Sequence, residues 1–159
     1  MGTETNYHRR RIGRFALVGA GATAGAAAIA IGGLRPFRAI VRGDSMEPTL
    51  REGDVVLVFA RITPRTGDVV VVERPERMGF EMVKRVAGSP GEVVHILPDG
   101  SRLPHPVPLR EGEWFVIGDA LEGSTDSRAF GPVTRKSIRG VVRLVLSPRD
   151  RAGRVKPRR

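Results

Sequence analysis

The chain has no cysteine among its 159 residues. This excludes a disulfide framework, a thiol nucleophile and a cysteine-ligated metal site. Aromatic residues are also scarce, with one Trp, one Tyr and six Phe, and none interleaves with the basic clusters. A base-stacking surface is therefore not visible. We expect no metal, no cofactor and no nucleic-acid partner, and the length predicts one domain rather than two.

Charge of one sign dominates the chain, which carries 27 basic against 17 acidic residues and a formal net charge of +10. Most of the excess lies in two terminal clusters, residues 9–14 and residues 149–159. A strongly basic chain indicates a polyanionic partner, either nucleic acid or an anionic membrane surface. With a nucleic-acid surface not visible, the lipid bilayer is the partner that we expect.

Long uncharged runs are absent except at Phe15–Leu34, "FALVGAGATAGAAAIAIGGL". About twenty residues in a helix span a bilayer core of roughly 30 Å. A membrane anchor is the favoured interpretation, while a cleaved export signal and a buried helix remain open. The arginines around the run lean only slightly toward a cytoplasmic N-terminus. We thus predict a cytoplasmic basic segment over residues 1–14 and a single transmembrane anchor over residues 15–34.

Beyond residue 34 the pattern changes to short β-type runs rich in valine. The breaks between them carry turn residues, as in "REGD", "TPRTGD", "GSPGE" and "PDGS". This pattern predicts a mainly β domain over residues 35–147, built as packed antiparallel sheets or a small barrel. Residues 148–159 are predicted to form a basic disordered tail. The expected strands are Val55–Phe59, Asp68–Glu73, Phe80–Ala87, Glu92–Leu97, Trp114–Ile117 and Ile138–Leu146.

Ser45 draws attention because it stands in "RGDSMEPTL", directly before an apolar strand. A serine beside Gly and Asp is ordinarily a turn residue. A nucleophilic serine would need a base, most often histidine. The three histidines are His8, His95 and His105, and none lies in a motif bounded by Gly and Asp. We therefore expect them to be structural.

Lysine is the other base that serves a serine, and the chain has only three. Lys136 falls in a predicted surface turn and Lys156 in the tail. Lys84 instead lies inside the strand "FEMVKRVAG", where alternation places it on one face with Met82 and Val86. Desolvation on such a face would lower the pKa of a lysine, as a general base requires, although an edge lysine could also extend into solvent.

A third stretch, residues 118–133, reads "GDALEGSTDSRAFGPV" and follows the strand "EWFVI". It is dense in short polar side chains, and Asp126 and Arg128 are two residues apart. It can be interpreted as a polar surface loop, or as a loop whose hydroxyls and ion pair support a site.

Taken together, "GDSMEPTL..GDVVLV", "GDVVVVE", "MVKRVAGSPGEVV" and "FVIGD....STDSRAFGPV" resemble, in order and approximate spacing, the type I signal peptidase family. The resemblance covers about 110 residues after the apolar segment. It implies a serine endopeptidase with a Ser/Lys dyad on an all-β domain. It also implies a single-pass anchor in the plasma membrane, with the catalytic domain on the extracytoplasmic side. The implied partners are precursor proteins carrying export signals, cleaved after small residues of the Ala-x-Ala type.

The resemblance also assigns roles to individual residues. Ser45 corresponds to the nucleophile, Lys84 to the general base and Ser124 to the hydroxyl that orients the lysine amine. Asp126 and Arg128 correspond to a supporting ion pair. The implied substrate-pocket and oxyanion residues are Gly43, Asp44, Met46 and Met82. Some relatives carry a hydroxyl two residues before the nucleophile, whereas Gly43 supplies no side-chain donor here.

The sequence departs from the family pattern at Ala120, where the family often has Asn, and at Glu122-Gly123, which replace an acidic-amide pair. These changes bear on substrate choice more than on the dyad. Three alternatives stay open: a maturation protease of the same family acting on one client, a LexA-like autoprotease, and a non-catalytic basic protein that binds a membrane surface.

Overall fold

A computed structural model describes residues 34–97, 101–120 and 123–158. They form ten strands, one four-residue helix and one 3-10 turn at Arg149–Arg151. The helix, α1, is Ser127–Phe130. The strands are β1 (Pro36–Ile40), β2 (Val55–Phe59), β3 (Val69–Glu73), β4 (Glu81–Gly88), β5 (Val93–Ile96), β6 (Arg102–Pro108), β7 (Glu113–Ile117), β8 (Val133–Thr134), β9 (Ile138–Ser147) and β10 (Gly153–Arg154).

Eight strands form one antiparallel sheet in the order β1-β2-β9-β3-β4-β7-β8, with β10 added on β9. β5 and β6 pair separately as a two-stranded hairpin. Register shifts interrupt the pairing of β9 with β2 and with β3, and of β4 with β7. Such irregularities bend a sheet and increase its twist, so the large sheet curls.

Strand β3, "VVVVE", shows why the curled sheet has cores on both faces. Its four valines are all buried. Val69 and Val71 belong to one apolar cluster, whereas Val70 and Val72 belong to another. Successive side chains of a strand point to opposite faces, so a continuous apolar run fits a strand that is covered on both sides.

The mainly β prediction is confirmed, and the six expected strands are present with small differences at their ends. Four strands were not predicted from the sequence, namely β1, β6 and the two-residue strands β8 and β10. Of these, β6 contains the proline-rich stretch "LPHPVP". Proline is tolerated there because β6 has a partner on only one side and most of its residues are exposed.

The prediction of a disordered tail does not agree with the structure of residues 148–158. Gly153 and Arg154 pair with β9, and Val155 is buried in the same core as Val145. Apart from its last residue, Leu34, the expected anchor over residues 15–34 lies outside the described residues. Within residues 34–97, 101–120 and 123–158, no helix is long and apolar enough to cross a membrane.

Candidate active site

Ser45 lies in a compact loop, residues 41–54, between β1 and β2. The loop is closed at its base, where Val41 N–H donates to the Asp54 carbonyl at 2.9 Å and Gly53 N–H donates to the Val41 carbonyl at 2.9 Å. Within the loop, the side chains of Met46 and Leu50 are completely buried in a core cluster. These apolar anchors fix the loop on the sheet and leave Ser45 itself only 3% exposed.

Lys84 occupies the middle of β4, opposite Val70 of β3, and is completely buried. Its Nζ lies 2.9 Å from Ser45 Oγ and 2.8 Å from Ser124 Oγ. A charged lysine amine donates to both hydroxyl oxygens. A neutral amine has a lone pair that can instead accept the hydroxyl proton of the serine.

Gly118 explains how the loop that carries Ser124 can lie against the loop that carries Ser45. A Cβ at position 118 would overlap the side chain of Ser124 and the carbonyl oxygen of Ser45. The same carbonyl accepts a hydrogen bond from Ala120 N–H at 3.0 Å. Glycine after β7 therefore lets the loop that carries Ser124 approach the loop that carries Ser45.

Asp126 and Arg128 form the ion pair that the sequence predicts, with Arg128 Nε 2.9 Å from Asp126 Oδ1. The buried Asp126 carboxylate also accepts from Gly118 N–H at 3.0 Å and caps α1 through Arg128 N–H at 3.1 Å. Burial acts to raise the pKa of Asp126. The hydrogen bonds from Arg128 and Gly118 outweigh that effect and hold the pKa below its ordinary value.

A second ion pair, which was not predicted from the sequence, lies directly beside Lys84. Arg85 Nε is 2.6 Å from Asp119 Oδ1, and Arg85 Nη2 is 2.7 Å from Asp119 Oδ2. Both side chains are buried, at 1% and 3% exposure. Arg85 also donates to the Gly67 carbonyl and to Thr49 Oγ1, at 2.7 and 3.0 Å. Strand alternation that puts Arg85 on a face with buried Val83 was the available signal.

The four residues expected near a substrate pocket are placed differently from one another. Gly43 is buried with a positive φ of 79°, a conformation that favours glycine. Asp44 is exposed, and its carbonyl accepts from Glu47 N–H at 2.8 Å. Met46 and Met82 are fully buried in two different core clusters. Their side chains therefore pack in the protein interior.

The described histidines and Lys136, which were not expected to be catalytic, are exposed. His95 and His105 are exposed on the β5–β6 hairpin, and Lys136 is exposed in the turn before β9.

A hydroxyl and an amine at hydrogen-bond distance, both withdrawn from solvent, have the geometry of a nucleophile beside its base. Among the described residues, Ser45, Lys84 and Ser124 thus form the candidate active site.

Comparison with known proteins finds one matching family model and several similar relatives. A family model described as signal peptidase, peptidase S26, matches residues 14–103 and 98–147. Mitochondrial inner membrane protease subunit 1 of Xenopus tropicalis is 35% identical over 121 residues, covering 74% of this chain and 72% of the relative. Signal peptidase I P of Bacillus subtilis subsp. natto is 31% identical over 144 residues, with shares of 70% and 77%. Signal peptidase I of Bacillus licheniformis is 28% identical over 141 residues, with shares of 69% and 75%.

Proposed function

The chain belongs to the signal peptidase family, peptidase S26, and on that premise we propose that it is a serine endopeptidase removing export signals from precursor proteins. The observation that carries the proposal is the buried contact of 2.9 Å between Ser45 Oγ and Lys84 Nζ. A buried ammonium is costly, so desolvation favours the neutral amine that a general base needs. We assign Ser45 as the nucleophile and Lys84 as the base.

The reaction begins when neutral Lys84 Nζ takes the proton of the Ser45 hydroxyl as Oγ attacks the scissile carbonyl carbon. The carbonyl π electrons move to oxygen and form a tetrahedral oxyanion. On collapse, the peptide C–N bond breaks, and the Lys84 ammonium returns its proton to the leaving amine. An ester between Ser45 and the signal segment remains.

Water then hydrolyses this ester by the same proton path. Lys84 Nζ accepts a proton from the attacking water, and the second tetrahedral oxyanion collapses with cleavage of the C–Oγ bond. The proton passes back to Ser45 Oγ. The Ser45 backbone N–H is our candidate oxyanion donor, and Gly43 adds no side-chain donor.

Ser124 and the ion pair behind it are proposed to keep the lysine amine in place. Ser124 Oγ lies 2.8 Å from Lys84 Nζ, on a loop whose start is tied through Gly118 N–H to Asp126. Arg128 binds both oxygens of Asp126. Rigid supporting contacts of this kind hold a catalytic group in productive geometry.

The substrate is proposed to enter as an added β-strand along β4. Strand β7 pairs with β4 only from Arg85 onward. In the part of the chain that the structure describes, Met82 and Val83 therefore have a strand neighbour on the β3 side alone. Main-chain hydrogen bonds along such an edge would bind an extended peptide with little regard to its side chains. Specificity would come from the residues at the cleavage point.

The location proposed for the enzyme is the plasma membrane. Residues 15–34 would form a single-pass anchor, with residues 1–14 in the cytoplasm and the catalytic domain on the extracytoplasmic side. The uncharged apolar run supports this arrangement. The Xenopus tropicalis relative, named as a subunit of an inner membrane protease, supports a membrane setting.

A second candidate function is maturation of one client precursor by the same chemistry. Several relatives that are 31–36% identical are named mitochondrial inner membrane protease subunits rather than signal peptidases. This similarity is the reason to consider the second candidate, which changes neither the proposed dyad nor the reaction.

Incubation of the detergent-solubilised full chain with a precursor carrying an Ala-x-Ala site tests the proposal. We expect one cut after the second alanine by the wild type and none by Ser45→Ala, with both proteins showing the same melting temperature. Equal turnover by Ser45→Ala would refute the mechanism. A panel of unrelated precursors then separates a general enzyme, which cuts several, from a single-client enzyme, which cuts one.

A further inference from the structure

Residues 148–158, here called the strap, fold back across the large sheet after β9. Strand β10 continues the edge of β9 beyond the end of its pairing with β3, which stops at Val142. Val155 N–H donates to the Arg143 carbonyl at 2.9 Å, and the Val155 side chain enters the core. The strap is therefore an ordered part of the domain.

One end of the strap binds the base of the loop that carries Ser45. Arg151 binds Asp54 through two nitrogens, with Nε 3.0 Å from Oδ1 and Nη2 2.9 Å from Oδ2. Arg151 Nη2 also lies 3.4 Å from the Thr49 carbonyl. The Asp54 carboxylate caps the turn into β2 by accepting from Arg51 N–H at 2.9 Å. This single guanidinium therefore contacts two points of the loop.

The other end of the strap reaches the support of the lysine strand. Arg158 N–H donates to the Gly67 carbonyl at 3.2 Å, and Arg85 Nη1 donates to the same oxygen at 2.7 Å. Thr49 provides a second connection, because its hydroxyl accepts from Arg85 while its carbonyl faces Arg151. The strap thus joins the loop of the proposed nucleophile to the residue beside the proposed base.

We propose that Arg151 is a positioning residue, which holds the 41–54 loop so that Ser45 Oγ stays within proton-transfer distance of Lys84 Nζ. The inference rests on the proposed function and adds to it a determinant outside the active-site cluster. Asp54 is buried, at 1% exposure of its side chain. Without Arg151, that carboxylate would lose its charged partner, and water would enter at the base of the loop. Displacements of about 1 Å at a reacting pair can lower a rate about a hundredfold.

The test compares the full-length Arg151→Gln and Asp54→Asn variants in single-turnover cleavage of the precursor. We expect each variant to cleave between about ten and a hundred times more slowly at saturating substrate, with little change in KM. The double variant should be no slower than the slower single variant, because both changes remove one contact. Arg151→Lys, which keeps the charge but loses the two-nitrogen geometry, should recover part of the rate.

Two controls separate positioning from general loss of stability. Arg154→Gln changes an exposed charge of the same strap and should leave the rate within about twofold. Val94→Ala removes buried methyl groups from the β5–β6 core, far along the chain from the strap. Measured at a temperature where it and Arg151→Gln are equally folded, Val94→Ala should keep the wild-type rate. An equal slowing in Val94→Ala, or an unchanged rate in Arg151→Gln, would overturn the proposal.

Hydrogen exchange gives a readout that does not need catalysis. The Leu50 amide, which donates to the Met46 carbonyl at 2.9 Å, reports on the 41–54 loop. In Arg151→Gln its exchange should accelerate by at least about tenfold, because the loop opens more often, and in Val94→Ala it should not. If wild type cleaves no precursor, the proposed function fails. The exchange of Leu50 still decides whether the strap holds the loop, since unchanged protection would refute that hold.

Discussion

Replacing Lys84 by arginine tests the proposed base by removing its ability to accept a proton. Lys84 Nζ is buried and lies within 3 Å of two hydroxyl oxygens, at 2.9 Å from Ser45 and 2.8 Å from Ser124. A guanidinium can still donate to those oxygens, but it does not give up a proton in a protein. The substitution therefore places a permanent cation where the mechanism needs a neutral amine, and it removes the lone pair that would accept the Ser45 proton.

The expected loss follows from what remains once proton transfer is gone. A nucleophile and its base act as one unit, and removal of either member of a catalytic unit commonly costs about three to six orders of magnitude in rate. Lys84→Arg should thus be as inactive as Ser45→Ala, and the double variant no worse than either. Because the larger side chain could strain a fully buried position, Lys84→Met serves as a matched variant. It should be equally inactive with no fall in melting temperature, since it buries no polar amine.

The assay is single-turnover cleavage of a precursor peptide from pH 6 to pH 10, with Lys136→Arg as the control. Lys136 is exposed in a turn, so its substitution should leave the rate within about twofold. In the wild type, the rate should rise with pH as the base loses its proton, below the ordinary lysine value of about 10.4. Substantial cleavage by Lys84→Arg, or losses that multiply in the double variant, would refute the dyad.

The remaining predictions concern the membrane and the two ion pairs. If residues 15–34 anchor the chain, it should stay with membranes through 1 M salt and carbonate, since charge attachment is screened to about 3 Å in 1 M salt; recovery in the wash would favour peripheral binding. The pKa of Asp126 is lower in the folded state than its ordinary 3.8. Its stabilising effect is therefore present above that value and lost as the pH falls through the folded pKa, so wild-type melting temperature should drop more than that of Asp126→Asn in acid. Asp119→Asn should cost about 3–5 kcal/mol in a denaturant titration, because it leaves Arg85 charged and buried; a loss below 1 kcal/mol would contradict the burial of that pair.

Local pattern singles out Ser45 and Lys84 as candidates, and the family resemblance gives them their proposed roles. Ser45 precedes a strand in "GDSM", and Lys84 is a charged residue on a strand face that is otherwise apolar. Strand period alone, applied to "FEMVKRVAG", places Lys84 with Met82 and Val86, and the structure buries all three. Local rules suffice to place these three residues on one strand face, because that information lies within a few residues of the chain.

The contacts that join distant segments are harder to predict. The pair Arg85–Asp119 spans 34 positions, and Arg151–Asp54 spans 97. Nothing in the spacing of these residues specifies the pairing, which depends on how the curled sheet brings β4, β7 and the strap together. Disorder was predicted for residues 148–159 from their basic composition, which likewise says nothing of distant partners. The order of this segment depends on one buried side chain, Val155, and on the pairing of Arg151 with Asp54.

Neighbouring residues of β4 hold two buried basic side chains on opposite faces of the strand, in different chemical surroundings. Arg85 points toward Asp119, which binds its guanidinium through two oxygens and stabilises the charged form. Lys84 points to the opposite face and meets the hydroxyls of Ser45 and Ser124. The mechanism that we propose needs the neutral amine of Lys84, a form that desolvation in general favours. Strand alternation thereby separates the charge that fixes the loops from the amine that is proposed to take and return a proton.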